Sequence, residues 1–303
     1  KYVDDTSVVS VSNDPNDNPL QLSLKELADR CTANTMRINT VKTKEMVVCF
    51  GKQFDASRLP ILAINGSMIE RVSCFKLLGV YFNYDFTWQN HVDYILKKVS
   101  KRIYFIYLLM RAGINSSDVV SVYCSLIRTI LEYASPVWHA GLTKTQSDRI
   151  EGVQKRCLKI VFPDLSYEEA LFVSGIEKLS DRRDKHARDL FNDIKKPGNV
   201  LNYLLTPYEI HGDKKDKLRH PYPYAMCRAN TLRLNRSFIA YCIIIADFNA
   251  FLIHCACCPV QLCLVVNVSL FDVSFVFFLS LFVFSSANGA NALRLNSHLL
   301  LCT

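Results

Sequence analysis

The hydrophobic period of this chain changes at about residue 87, and the change dictates how its elements segregate. Before that point, short apolar runs are bounded by turn residues. Val8, Val9 and Val11 form one run, Met46 to Phe50 a second, Ile61 to Ser67 a third and Val72 to Phe82 a fourth. Runs of this length, rich in β-branched and aromatic residues, read as strands. Asn65-Gly66 marks a tight hairpin, and Gly79 interrupts the last run. One helix, at about residues 20–33, is expected among them from Leu22, Leu24, Leu27, Ala28 and Cys31. After residue 87 the period becomes 3.6. Strands followed by a run of helices predict an α+β chain rather than an alternating α/β one.

Three longer helices follow from that period. Val92, Ile95, Leu96, Val99, Ile103, Ile106 and Met110 make one apolar face, which Gly113 ends. Ser116-Ser117-Asp118 is read as the cap of a second helix through Val119, Tyr123, Leu126, Ile127, Ile130 and Leu131, stopped by Pro136. A third spans about residues 146–161. Ser166 with Glu169 forms a capping box for a short helix, and Leu179 to Ile194 predicts another. Residues 206–236 are rich in Pro, Tyr and Arg/Lys and read as irregular.

Charge is unevenly spread. The net charge is +8, yet after residue 240 only Arg294, Asp247 and Asp272 are charged, so residues 1–240 hold 35 basic and 26 acidic side chains, a net +9. A basic globular part suits a polyanion such as nucleic acid. Leu262 to Phe284 carries Asp272 alone and is long enough to cross a bilayer. The tail leaves three readings open: a transmembrane helix, a buried hydrophobic hairpin, or sequence translated beyond the natural end of the reading frame. If it spans, the upstream Lys and Arg place the preceding part on the cytoplasmic side. Six of the 12 cysteines crowd into the last fifth and the others are scattered singly, which is no disulfide framework and reads as a reduced, intracellular protein. His254, Cys255, Cys257, Cys258 and Cys263 fit no common zinc spacing. The chain opens without Met, and Lys1-Tyr2-Val3 reads as the inside of a strand.

The residues that carry chemistry begin with Tyr2-Val3-Asp4-Asp5. Two adjacent carboxylates on a turn can present hard oxygen ligands to divalent cations, as nucleotidyl transfer with two Mg²⁺ requires. A helix follows, then Asn39-Thr40-Val41-Lys42-Thr43-Lys44, then a strand, then Phe75-Lys76-Leu77-Leu78-Gly79-Val80. This ordered set resembles the reverse transcriptases of LINE-like, non-long-terminal-repeat retrotransposons, most closely the Jockey-related group. Leu131-Glu132-Tyr133-Ala134-Ser135-Pro136-Val137-Trp138-His139 and Gln154-Lys155-Arg156-Cys157-Leu158-Lys159-Ile160 also look like that family beyond its palm. The resemblance covers about residues 1–245.

The resemblance implies an RNA-directed DNA polymerase, a nucleotidyltransferase with an RNA template and a DNA primer as partners, Mg²⁺ as cofactor and no small-molecule cofactor. It implies a nuclear or cytoplasmic location, or a membrane one if the tail spans. By resemblance Asp4 and Asp5 are the catalytic metal ligands and Tyr2 packs near the primer end. Lys42 would neutralise the leaving pyrophosphate, with Lys44 an equally placed rival, and Leu78-Gly79 would form the primer-grip hairpin. Lys97, Lys98, Lys101 and Arg102, with Lys155, Arg156 and Lys159, would follow a duplex backbone without reading bases. The family's upstream palm aspartate, fingers and template-binding segments are not among these residues, so the chain by itself is expected to be an inactive fragment. A nucleic-acid-binding or membrane-anchored protein without enzymatic role is the alternative. The expected layout is a truncated palm-type antiparallel sheet over 1–84, a helical thumb-like region over 85–236 and an apolar tail over 237–303.

Overall fold

The computed structural model describes residues 6–12, 19–49, 59–205, 224, 236–247, 260–267, 278–285 and 296–302. The architecture is α+β with small sheets, and the chain divides into two compact units: residues 1–87 with 258–303, and residues 88–257.

In the first unit, β1 (Thr6–Ser12) is followed by α1 (Pro19–Ala33) and β2 (Lys44–Cys49). Pro19 opens α1, where a missing N–H costs no helical hydrogen bond. Short strands β3 (Ala63–Ile64), β4 (Ser67–Met68) and β5 (Glu70–Arg71) precede a hairpin of β6 (Cys74–Leu77) and β7 (Val80–Asn83). Leu20, Leu24 and Ala28 of α1 bury against Leu62, Ile64 and Ile69, with Val8 and Ile38 alongside. The expected Asn65-Gly66 turn is present: β3 and β4 pair across it, with φ of 50° and 80°. Positive φ at both central residues is the mark of a type I′ turn, whose twist matches the flanking strands.

The run from Val72 to Phe82 is not one interrupted strand. It folds back on itself at Leu78-Gly79, so that Leu77 pairs with Val80 and Phe75 with Phe82. Glu45 of β2 is fully buried, and Arg71 of β5 answers it with Nε to Oε2 at 2.9 Å and a terminal guanidinium nitrogen to Oε1 at 3.2 Å. The same guanidinium donates to the carbonyls of Leu59 and Pro60, which compensates the burial of charge.

The last strands are β8 (Val260–Asn267), β9 (Phe278–Ser285) and β10 (Asn296–Cys302). β8 and β9 pair antiparallel from Val260 with Ser285 to Asn267 with Phe278. The stretch read as a candidate transmembrane helix, about 262–284, is therefore extended over 262–267 and 278–284, and 268–277 lie outside the described residues. Val, Phe and Leu without a polar face suit paired strands as well as a helix. No helix among the described residues is long and apolar enough to cross a membrane. β10 enters the main sheet, whose order is β1-β10-β2-β5. It is antiparallel to both β1 and β2, while β2 and β5 are parallel. Leu299 thus lies between Val9 and Met46, and β1 and β2 do not pair directly. The strand that stands between β1 and β2 thus comes from the far end of the chain.

The second unit is helical. Its longest element, α2 (Gln89–Arg111), buries His91, Val92, Ile95, Val99, Ile103 and Ile106. Gly113 (φ 76°) ends it, with Gly113 N–H donating to the Met110 carbonyl and Ile114 N–H to that of Leu109, a Schellman arrangement. The cap of α3 (Ser116–Tyr123) is Asn115, one residue before the expected serines; its side chain accepts the Ser117 N–H. After α3 the backbone widens into a π turn (Cys124–Arg128) before α4 (Thr129–Glu132). That extra residue rotates Leu126 to the surface, whereas the expectation placed it in the core, and leaves Tyr123, Ile127 and Leu131 as the buried row. The widened turn frees the Leu126 carbonyl, which accepts a hydrogen bond from Arg102 at 2.7 Å.

Pro136 does not stop a helix. The break falls at Tyr133 and Ala134 (φ 52°), and Pro136 stands in the first turn of α5 (Ser135–Trp138), where proline is tolerated. A 3₁₀ turn (His139–Gly141) leads to α6 (Lys144–Val161), which begins with a capping box of Thr143 and Gln146. The expected capping box of Ser166 and Glu169 opens α7 (Tyr167–Ser174). Next come α8 (Leu179–Ile194), a 3₁₀ turn (Asn202–Leu204) and α9 (Phe238–Asp247), whose Phe238, Ile239, Cys242 and Ile243 are buried in the same unit. α2 packs on α6 and α3, and α8 packs on α5, α6 and α9.

Candidate nucleic-acid interface

Tyr2, Asp4 and Asp5 lie outside the described residues, which begin at Thr6 in β1. Among the described residues no group of three His, Cys, Asp or Glu side chains could hold a metal ion.

The Asn-x-x-Lys-Thr run forms a self-capped turn. Asn39 Oδ1 accepts the Lys42 N–H at 3.1 Å, and the Asn39 carbonyl accepts the N–H and the hydroxyl of Thr43 at 3.0 and 2.8 Å. Asn39 and buried Thr43 hold the backbone, and the Lys42 side chain stands exposed. Lys44, the rival, is engaged in an ion pair with Glu70. A cation free to meet an incoming anion is thus better supplied by Lys42.

Leu78 and Gly79 occupy the two positions of a tight turn, with φ of 46° and 89°. Glycine carries no penalty there, but leucine does: the left-handed region crowds its Cβ against the backbone by roughly 1–2 kcal/mol. The Lys76 ammonium lies 5.6 Å from the Tyr81 ring centre on the same hairpin. Strain of this kind clusters at functional sites.

On α2, Lys97, Lys98 and Lys101 are exposed, and the Lys98 ammonium lies 6.0 Å from the Tyr94 ring centre. Arg102 is set apart from them, since it is half-buried and ties α2 to the π turn. On α6, Lys155, Arg156 and Lys159 are exposed, with Lys155 5.1 Å from the Tyr167 ring centre. Beneath these cations Gln154 is buried and fully used. It accepts from Tyr123 Oη at 2.6 Å and donates to Tyr167 Oη and the Glu177 carbonyl, each at 3.0 Å. Tyr167 in turn donates to Glu151, whose carboxylate caps α8 through the N–H groups of Leu179 and Ser180. Burial and then the Glu151 contact push the Tyr167 phenol upward, and burial pushes the Cys157 thiol up to about 12, which disfavours the ionised form of each.

Three histidines of the helical unit, His91, His139 and His186, each have a defined neighbour. His91 is buried beside Trp138, ring centres 5.3 Å apart. His186 Nδ1 is 3.3 Å from Ser135 Oγ. His139 Nε2 meets Asp184 at 2.8 Å, while its Nδ1 accepts from Arg183 Nε at 3.2 Å; that acceptance fixes the proton on Nε2. Burial would raise the Asp184 carboxyl, but hydrogen bonds from His139 and Tyr241 outweigh it and hold it below its ordinary range. The carboxylate serves His139 and not His186, so Ser135, His186 and Asp184 do not form a charge-relay triad. Arg183 is fully buried, stacks 5.9 Å from the Trp138 ring centre and bonds Ser147 Oγ at 2.9 Å. Arg183 stands four residues from both Leu179 and Ala187, on the face of α8 that is buried.

The sequence reading missed the aromatic side chains among the cations of α2. Tyr104, Phe105 and Tyr107 are 61%, 54% and 45% exposed. Their signal was available: positions 97, 101, 104, 108 and 111 recur at helical spacing opposite Ile95, Val99 and Ile106. Family models, curated proteins and solved structures were compared with the chain, and none matches.

Proposed function

We propose that this chain is the C-terminal part of a reverse transcriptase of the LINE-like, Jockey-related kind. Its first unit is the remainder of a palm-type sheet, and its helical unit is a thumb-like body that grips the nucleic-acid backbone. The observation that carries the reading is the order of the motifs, Tyr2 to Asp5, Asn39 to Thr43, then Lys76 to Gly79. Two of these fold as compact turns that display Lys42 and the Leu78-Gly79 backbone. The exposed cations of α2 and α6 support backbone contact, which neutralises phosphates and releases counterions without reading sequence. A polypeptide limited to these residues brings one carboxylate pair to a reaction that needs ions held by a rigid cage, so polymerisation is expected only once upstream palm and fingers are supplied.

Two measurements test this. Nucleic-acid binding by the chain should be sequence-independent and weaken steeply with salt. Primer extension on an RNA template with Mg²⁺ should be absent from the chain alone, appear in a chain extended upstream, and vanish again with Asp4→Asn or Asp5→Asn. Salt-independent binding, or extension by the extended chain that survives both substitutions, would sink the reading.

A further inference from the structure

We infer that the outer face of α2 is a stacking platform for single-stranded nucleic acid, with Tyr104 as the ring that receives a base. The inference rests on the nucleic-acid reading above and narrows it to unpaired strands and to one helix face. Tyr104 and Tyr107 lie nearly parallel, at 28° with ring centres 6.4 Å apart, and the Arg111 guanidinium sits 5.7 Å from the Tyr107 ring centre. Arg111, Tyr107 and Tyr104 therefore form a ladder along the helix, cation on ring on ring. It ends at Tyr104, the most exposed aromatic residue of α2.

One turn and two turns before Tyr104, on the same face, stand Lys101 and Lys97, both exposed. A strand whose base stacks on Tyr104 would thus have ammonium groups along the path of its phosphates. Charge decides between occupants. α2 holds Lys97, Lys98, Lys101, Arg102 and Arg111 against a single acid, Asp93, which is already paired with Arg149 at 2.7 Å. An apolar protein partner would leave these cations desolvated, and a second copy of the chain would set them against each other. A polyanion with flat, unpaired bases satisfies both the cations and the rings. Duplex bases are stacked within the helix and offer no free face, so the platform selects single strands.

The test is fluorescence anisotropy of the full chain with labelled oligothymidylate, oligouridylate and a duplex of equal length. Tyr104→Ala with Tyr107→Ala should weaken single-strand binding about fivefold or more, since aromatic–base stacking is worth at least that per base. Duplex binding and the salt dependence should stay unchanged, and the helical circular dichroism should be retained. Tyr104→Phe with Tyr107→Phe keeps the rings and should bind like the unsubstituted chain. Lys97→Ala with Lys101→Ala should instead flatten the salt dependence and weaken all three probes. Loss of uridylate binding alone or thymidylate binding alone would assign the platform to RNA or to DNA. If single strands and duplex bind and the alanine pair changes neither, the platform is refuted while the nucleic-acid reading stands. If no probe binds even at low salt, both fall. If the alanine pair abolishes self-association and leaves single-strand binding intact, the face belongs to a second copy and the inference is wrong.

Discussion

Mild acid should destabilise the helical unit through one side chain, His91. Its ring is buried between Trp88 and Trp138, with centres 6.4 and 5.3 Å away, and burial lowers its pKa from the ordinary 6.5 to about 4. The folded state therefore holds the neutral imidazole, while the unfolded chain takes up a proton below pH 6.5. Between 6.5 and 4 the unfolded state binds more protons, so stability is full above 6.5 and falls as pH drops. At about 1.4 kcal/mol per pH unit, the interval from 6.5 to about 4 amounts to about 3 kcal/mol, a large part of a domain's margin. Asp93, Asp184 and Glu169 have depressed values and contribute only below the ordinary carboxylate range, so they stay out of the interval from pH 6.5 to 5, and a leucine at position 91 separates this ring from the other histidines. Urea unfolding followed by tryptophan emission reads the right place, because both tryptophans of the chain flank His91. The midpoint should fall by the equivalent of about 2 kcal/mol between pH 6.5 and 5, and His91→Leu should flatten that dependence. An unchanged midpoint over this range, or a leucine variant that keeps the fall, would show that the imidazole is not held neutral by burial.

Two substitutions probe the backbone. A Cβ on Gly141 would lie 2.2 Å from Trp88 Nε1 and 2.7 Å from Cδ1, so Gly141→Ala should cost about 1–3 kcal/mol by overpacking; a smaller cost in a Trp88→Leu background, measured as a double-mutant cycle, would locate the clash. Leu78→Asn should stabilise the β6–β7 hairpin by about 1 kcal/mol, since asparagine tolerates the left-handed region, and an unchanged thermal midpoint would argue against strain at that turn.

Much of the helical unit was legible in the sequence because its signals are local. The apolar row Val92, Ile95, Val99, Ile103 and Ile106 repeats at the pitch of one helix, and Gly113, Ser166 and Glu169 satisfy end groups within a turn of themselves. Asn65-Gly66 was equally legible, because two residues with positive φ need no distant partner. Chemistry was harder to place. Lys42 and Lys44 are indistinguishable as letters, and only the position of Glu70, brought alongside by the pairing of β2 with β5, tells them apart.

What the sequence by itself determined was the short strands and single helix before residue 87, the run of helices that follows to residue 194, and the basic character of residues 1–240. Tertiary structure alone decided the rest. Placing β10 between β1 and β2 joins residues nearly the length of the chain apart, and strand pairing carries no label of its partner. Arg183 is buried because α8 lies against the Trp138 ring and Ser147, and Leu126 is exposed because one π turn shifts the register of its helix. Periodicity gives each helix a face, but which neighbour covers that face, and how completely, is set by packing between segments that are distant in sequence.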